Sequence, residues 1–166
     1  MFSLASAAVI VELSRDKTFA YVADLENFAA WFPGVISVVA LDGVPIAEPG
    51  KRYVETVPVP LFGTRQVQIQ VVEAIPSQRL VTEGRLPLLL PRMEIEFRDA
   101  GPNCCEVHWR MFSRNESALA RRTVLPAVRW VMGKRAKAGL RNLRRRLNQP
   151  ADLGVGDCHT NDYELH

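Results

Sequence analysis

The chain is poor in the residues that build metal centres and disulfide scaffolds. Its 166 residues include only three cysteines and three histidines. Cys104 and Cys105 are neighbours, which rarely bridge each other, and Cys158 falls in a polar C-terminal stretch. There is no CxxC pair and no HExxH stretch, which excludes a cysteine-framed scaffold and most zinc modules. Cys158 and His159 together are two ligands, too few for a site. No metal and no cofactor are expected. Long apolar runs are also missing, since none approaches the roughly 20 residues that cross a bilayer. The apolar start, Met1 to Val11, lacks a positive leading segment because its first charge is Glu12. It reads as a lead-in and a strand rather than a secretion signal, so the expected location is the cytoplasm. Ten glycines and eleven prolines suffice for many turns and are too few for a collagen-like or low-complexity chain.

What remains is ordinary globular material, 48 % hydrophobic and 23 % charged. At one domain per roughly 100–200 residues it makes a single domain. A domain of that size buries about 70 % of the surface its unfolded chain exposes, and folds without staples.

Acidic residues are absent from one long stretch. Between Arg121 and Arg146 lie ten basic residues and no acidic one. Taking 10 from the net charge of +3 leaves −7 for the rest of the chain. Such a stretch attracts lipid or nucleic-acid phosphates, or is simply a solvated helix face with cations near its C-terminus. The acidic remainder argues against dedicated nucleic-acid binding. So does the lack of aromatics interleaved with the cations beyond Trp130.

Periodicity orders the elements. Ala8 to Ser14 is β-branched and reads as a strand. Ser14 then caps a helix with Phe19, Val22 and Ala23 on one face. Asp24 caps a second short helix through Trp31, which Pro33-Gly34 stops. Val35 to Asp42 is apolar and ends on an Asp-Gly turn. From Arg52 the period becomes two. Tyr53, Glu55 and Val57 alternate with Val54 and Thr56. Gln66, Gln68 and Gln70 alternate with Val67, Ile69 and Val71. Arg92, Glu94, Glu96 and Arg98 alternate with Met93, Ile95 and Phe97. Glu106, His108 and Arg110 alternate with Val107, Trp109 and Met111. These are antiparallel strands with one wet and one covered face, and Leu80 to Arg85 adds another. After Asn115 the period is helical, with Leu125, Val128, Val131, Met132, Ala136, Leu140, Leu143 and Leu147 in phase and Pro126 starting or kinking the helix. Residues 149–166 are polar, and a disordered tail is expected there.

This order, and the stretch Val22-Ala23-Asp24-Leu25-Glu26-Asn27-Phe28-Ala29-Ala30-Trp31-Phe32-Pro33-Gly34-Val35, resembles the START/Bet v 1-like superfamily, SRPBCC. Its polyketide cyclase/dehydrase-like branch is nearest, with coenzyme Q-binding-type members close by. Asp42-Gly43, Gly50-Lys51-Arg52-Tyr53, Glu73-Ala74-Ile75-Pro76, Ile95-Glu96-Phe97, Val107-His108-Trp109 and Leu140-x-x-Leu143 carry the same likeness. The resemblance covers roughly residues 7–148 and implies an α+β helix-grip fold for residues 1–148. In that fold a seven-stranded antiparallel sheet wraps a long C-terminal helix, two short helices follow strand 1, and an apolar cavity lies between sheet and helix.

A cavity for a ligand would be lined by Trp31, Phe32, Val57, Val67, Ile69, Met93, Ile95, Phe97, Val107, Trp109 and Met111, with Leu125, Val128 and Met132 from the helix, unless these are simply core. Its expected size is about 300–1,000 Å³, and with a closed void under about 100 Å³ the binding reading would fail. Two greasy, proline-framed loops, 58–63 and 86–91, fall at one end with the lead into the last helix. Leu61, Phe62, Leu88, Leu89 and Leu90 there are candidate gate residues. Parity puts Glu55 with Tyr53 and Val57, and Arg65 with Val67. If these faces point inward, Glu55 and Arg65 pair across adjacent strands and, with the Tyr53 hydroxyl, supply a polar or acid–base group. The alternative is that a bulge turns them out to water. His108 falls on the charged face.

Two functions follow from this reading. One is binding or carrying a hydrophobic small molecule: a lipid, an isoprenoid quinone or a polyketide. The other is a cyclase/dehydrase-type enzyme working through the inward polar pair. The basic helix adds a third, a peripheral membrane or interaction module. The expected partner is thus a hydrophobic small molecule, with an anionic membrane surface or a second copy as further candidates and nucleic acid disfavoured.

Overall fold

The computed structural model of the protein describes residues 1–59 and 63–148. The expected tail, 149–166, lies outside the described residues. Seven strands run in chain order: β1 (Phe2–Val11), β2 (Ser37–Ala40), β3 (Arg52–Val59), β4 (Gly63–Ile75), β5 (Arg79–Gly84), β6 (Pro91–Gly101) and β7 (Cys104–Ser113). They form one antiparallel sheet in the order β1-β7-β6-β5-β4-β3-β2. Between β1 and β2 lie α1 (Arg15–Ala23), a 3-10 turn (Leu25–Asn27) and α2 (Phe28–Trp31). After β7 come α3 (Ala118–Arg122) and α4 (Val124–Leu147). This is the expected helix-grip arrangement. β1 begins six residues earlier than its β-branched core suggests, because Phe2 to Ala7 also pair with β7, with a register shift between Ser3 and Ala5.

Of the two capping residues between β1 and β2, Ser14 stands at the start of α1 without a side-chain cap bond, whereas Asp24 caps as expected. Asp24 ends α1 and its side chain accepts the Glu26 backbone N–H at 3.2 Å, which opens the 3-10 turn. Gly34 ends the segment at φ +88°, in the left-handed region that favours glycine. The single helix read after Asn115 is two helices. Thr123 N–H and Oγ1 both donate to the Leu119 carbonyl, closing α3. Pro126 falls in the first turn of α4, where its missing N–H has no role.

Strand parity places the layers. Met93, Ile95 and Phe97 of β6 and Val107 and Trp109 of β7 are buried against the helices. On the opposite face the alternating charges pair with one another. Glu94, buried, holds Arg92 at 2.8 Å, Arg79 at 3.3 Å and Arg110 at 3.4 Å. Each ion pair has one foot in solvent, so the lattice matches register more than it adds stability.

α4 crosses the inner face with small residues at its closest approach. Ala136 and Gly139 are buried there with Leu140 and Leu143. A Cβ on Gly139 would lie 2.8 Å from the Phe32 ring, so only glycine lets the helix come this near. Beneath it an aromatic cluster fills the grip. Phe28 stacks on Phe32 at 4.8 Å, Trp31 meets Phe28 edge-on at 4.8 Å, and Phe32 leans on Trp109 at 5.1 Å.

Candidate functional site

The open end of the grip is built by loop 86–91 and the segment leading into α3. Leu88 and Leu90 hold φ of +68° and +44°, a region bulky residues avoid. Three hydrogen bonds hold them there. The Leu89 carbonyl accepts Ser113 Oγ at 2.5 Å, the Leu88 carbonyl accepts Asn115 Nδ2 at 2.7 Å, and the Leu90 carbonyl accepts the Arg114 N–H at 3.0 Å. Leu89 packs inward on a small cluster of Leu4, Ala120 and Leu125. Leu88 points out, 62 % exposed. The other two gate candidates, Leu61 and Phe62, lie outside the described residues.

Beside this loop is a void between the sheet and the α1–β2 segment. Leu25, Phe28, Val38, Glu55, Ile69, Thr82, Gly84, Pro91, Met93 and Met111 line it. Its volume is about 40 Å³, and it is not sealed from the surface. That space suits about two or three waters, far below the roughly 300–1,000 Å³ of a typical ligand site. The size expected from the fold is therefore not preformed, because the aromatic cluster occupies the rest of the grip. Ile69, Met93 and Met111 of the expected lining border the void. Trp31, Phe32, Ile95, Phe97, Val107 and Trp109 are packed in the main core, and Met132 is half-buried against them. Leu125 and Val128 belong to the small cluster under Leu89, Val67 is buried, and Val57 is half-buried.

Glu55 is the one ionisable residue lining the void. It stands opposite Val38 of β2 and Val67 of β4, on the inward face that parity assigns it. Burial pushes its carboxyl up to about 7, and the Arg135 charge on α4 pulls it part of the way back. Neither residue has a hydrogen-bond or ion-pair partner among the described residues. Arg135 lies along the Gly34 backbone, where a Cβ would meet its guanidinium carbon at 2.5 Å. The two opposite charges thus feel each other across a gap.

Arg65 does not pair with Glu55. It stands opposite Val57 and is exposed, because the β3–β4 hairpin runs past the end of β5, whose last residue Gly84 pairs with Ile69. No bulge is needed, since β3 and β4 keep one register throughout. Tyr53 is fully buried, its hydroxyl beside the Leu25 backbone rather than in the void. Burial, with the charges of Asp24, Glu26 and Asp42, pushes that hydroxyl up to about 12, so it stays neutral. His108 sits on the outer face with Nε2 at 2.8 Å from Glu106. Among the described residues no group of three or more His, Cys, Asp or Glu is placed to hold a metal.

With the grip and its lining in view, comparison with known proteins decides the family. The model of the family described as polyketide cyclase/dehydrase and lipid transport matches residues 4–148. The chain belongs to that family. It is a member of the START/Bet v 1-like superfamily, as the order of its elements implied. No curated protein matches the chain. Among solved structures, a START superfamily protein from Mycobacterium smegmatis is similar at 15 % identity and a TM-score of 0.66, over 89 % of this chain and 98 % of that one. A structural-genomics protein from Deinococcus radiodurans is similar at 19 % identity and a TM-score of 0.65, over 87 % and 96 % of the two chains. The di-domain ARO/CYC StfQ of the steffimycin biosynthetic pathway is similar at 14 % identity and a TM-score of 0.66. This chain spans 51 % of that protein. At these identities the likeness is one of fold. Several features of the site escaped the strand pattern: Arg135 as the charge facing Glu55, and Leu25, Phe28, Val38, Thr82, Gly84 and Pro91 as lining. Arg135 is one of ten cations in its stretch, and nothing in spacing distinguishes it from the solvated ones.

Proposed function

We propose that the protein binds a hydrophobic small molecule carrying a carbonyl or hydroxyl group, held in an expanded form of the void beside loop 86–91. A lipid, an isoprenoid quinone and a polyketide all fit this description. The observation that carries the reading is Glu55. A carboxylate without a partner on an apolar face is costly, and a ligand hydroxyl donating to it, with Arg135 reaching a carbonyl, would offset that cost. Met93 and Met111 are the adaptable part of the wall, since unbranched thioether chains re-pack easily. Loop 86–91 is the part that lifts, because the left-handed strain at Leu88 and Leu90 is relieved when it moves.

The test is purification without detergent, followed by solvent extraction with mass spectrometry and by a native mass spectrum of the intact chain. Stoichiometric retention of an apolar molecule is expected. Met111→Trp, which fills the void, should abolish it. A clean mass together with no saturable uptake of apolar fluorescent probes would overturn the reading.

Glu55 also favours a second reading, a cyclase/dehydrase-type reaction. A carboxyl titrating near 7 is both acid and base at neutral pH. As carboxylate, Glu55 would take a proton from the methylene between two ketones. The enolate would attack a second carbonyl of the same chain, and the proton held by Glu55 would return to the alkoxide. Loss of water would follow. If this holds, Glu55→Gln keeps ligand binding and loses formation of the ring-closed product from a poly-β-ketone. Equal turnover by both proteins would sink it.

A further inference from the structure

We propose that α3 and the N-terminal half of α4 dock the protein onto the surface of an anionic phospholipid bilayer. The proposal stands apart from the cavity and rests on how charge and apolar exposure coincide on one surface. Ser117 to Asn148 contain ten of the chain's cations and no carboxylate. Five of them, Arg121, Arg122, Arg129, Lys134 and Lys137, are exposed on α3 and the first half of α4. No acidic residue on either helix neutralises them, in contrast to the paired charges of the outer sheet face.

Large apolar side chains are exposed on the same segments. Leu119 is 73 % and Trp130 is 65 % exposed, and Val124 and Val131 of α4 are exposed as well. Leu88 belongs to the same end of the molecule, since Asn115 ties its backbone to the lead into α3. Trp130 is not a stray core residue. Lys134 Nζ sits 3.7 Å from the centre of its ring, and Pro126, Arg129, Gly133 and Lys137 complete a shallow depression around it. An amphipathic ring flanked by cations is what the boundary between headgroups and acyl chains accommodates. There the ring lies at headgroup level and each ammonium or guanidinium meets a phosphate.

Complementarity selects this occupant. A nucleic acid would use the cations but leave Leu88, Leu119 and Val124 in water. A second copy would bring the same uncompensated cations to the contact. Of the distal cations, Arg146 is bound to the Ala30 carbonyl at 2.8 Å, away from this surface.

The experiment is co-sedimentation of the full chain with phosphatidylcholine vesicles, with and without about 30 % phosphatidylserine. Binding to the anionic vesicles only is expected, weakening strongly between roughly 0.1 and 0.5 M salt. Trp31 and Trp109 are buried, so Trp130 should dominate a blue shift of the emission on binding. At about 1 kcal/mol per basic residue, or roughly fivefold each, Arg129→Glu/Lys134→Glu/Lys137→Glu should weaken partitioning by 100-fold or more. Its circular dichroism should be unchanged, since all three side chains are solvated. Trp130→Ala should bind less and lose the blue shift. Absence of binding, equal binding to neutral vesicles, or an unaffected triple variant overturns the proposal. So does preferential binding of a DNA duplex at equal phosphate. Concentration-dependent self-association that the triple variant abolishes also overturns it, in favour of an interface between copies.

Discussion

Glu55→Gln separates the charge of the site from its shape. Glutamine keeps the size and polarity of the side chain but cannot ionise. In the folded protein burial raises the Glu55 carboxyl from 4.5 to about 7, so the native form holds this proton more tightly than the unfolded chain does. By linkage, stability falls as pH rises through that window and the full penalty is present above it. At about 1.4 kcal/mol for each tenfold in proton affinity, the penalty has an upper bound of about 3 kcal/mol. Part of the carboxyl reaches solvent through the unsealed void, which discounts it to about 1–3 kcal/mol. A domain of this size shifts its Tm by about 2–4 °C per kcal/mol. Thermal unfolding followed by circular dichroism should therefore show Glu55→Gln gaining about 2–12 °C over the parent at pH 8 and almost nothing at pH 4. The difference between the two pH values isolates the charge, because any change in packing appears at both. An equal gain at both values, or none at pH 8, would refute a desolvated carboxylate. A carbon-13 titration placing the Glu55 midpoint near 4.5 would do the same.

Three further variants probe what surrounds the site. Gly139→Ala drives a Cβ to 2.8 Å of the Phe32 ring and should cost about 1–3 kcal/mol in chemical denaturation, despite alanine's better helix propensity. A stabilised variant would mean α4 does not approach this closely. Leu88→Gly removes an exposed side chain from a left-handed position and should raise stability by up to about 1 kcal/mol; a clear loss would show that the loop is not strained. Glu94→Gln leaves Arg79, Arg92 and Arg110 without their shared buried carboxylate and should cost about 1–3 kcal/mol, less in high salt than a core truncation would; no change in denaturation midpoint would make the lattice purely decorative.

The strands were legible because each strand repeats its decision every second residue. Met93, Ile95 and Phe97 cannot share a face with Arg92, Glu94 and Glu96, so the inside of β6 is written in its residues. The same alternation correctly turned Glu55 inward. It could not say that Arg65 would be out in water, because parity assigns a face and not a depth. Arg65 shares the face of Glu55 but lies beyond the last residue of β5. The helix break at Thr123 was half legible. Pro126 marked a start or a kink, while the closure of α3 depended on Thr123 reaching back to Leu119.

Local order therefore came from the sequence itself. The wet and dry faces of the strands, the Asp24 cap after β1 and a last helical stretch whose only charges are cations follow from periodicity and residue chemistry, while the count of seven strands and the family came with the resemblance. The interior of the grip was decided only by tertiary packing. Residues at the same parity became core, small cluster or void lining according to what α4 and α2 brought against them. Phe28, Phe32 and Trp109 meet because Gly139 admits the helix to contact, and that meeting leaves about 40 Å³ where a ligand-sized cavity was expected. The electrostatic influence of Arg135 on Glu55 across the gap has the same origin. The two lie 80 positions apart in the chain, and only the close approach of α4 to the α2–β2 segment brings their charges within reach of each other.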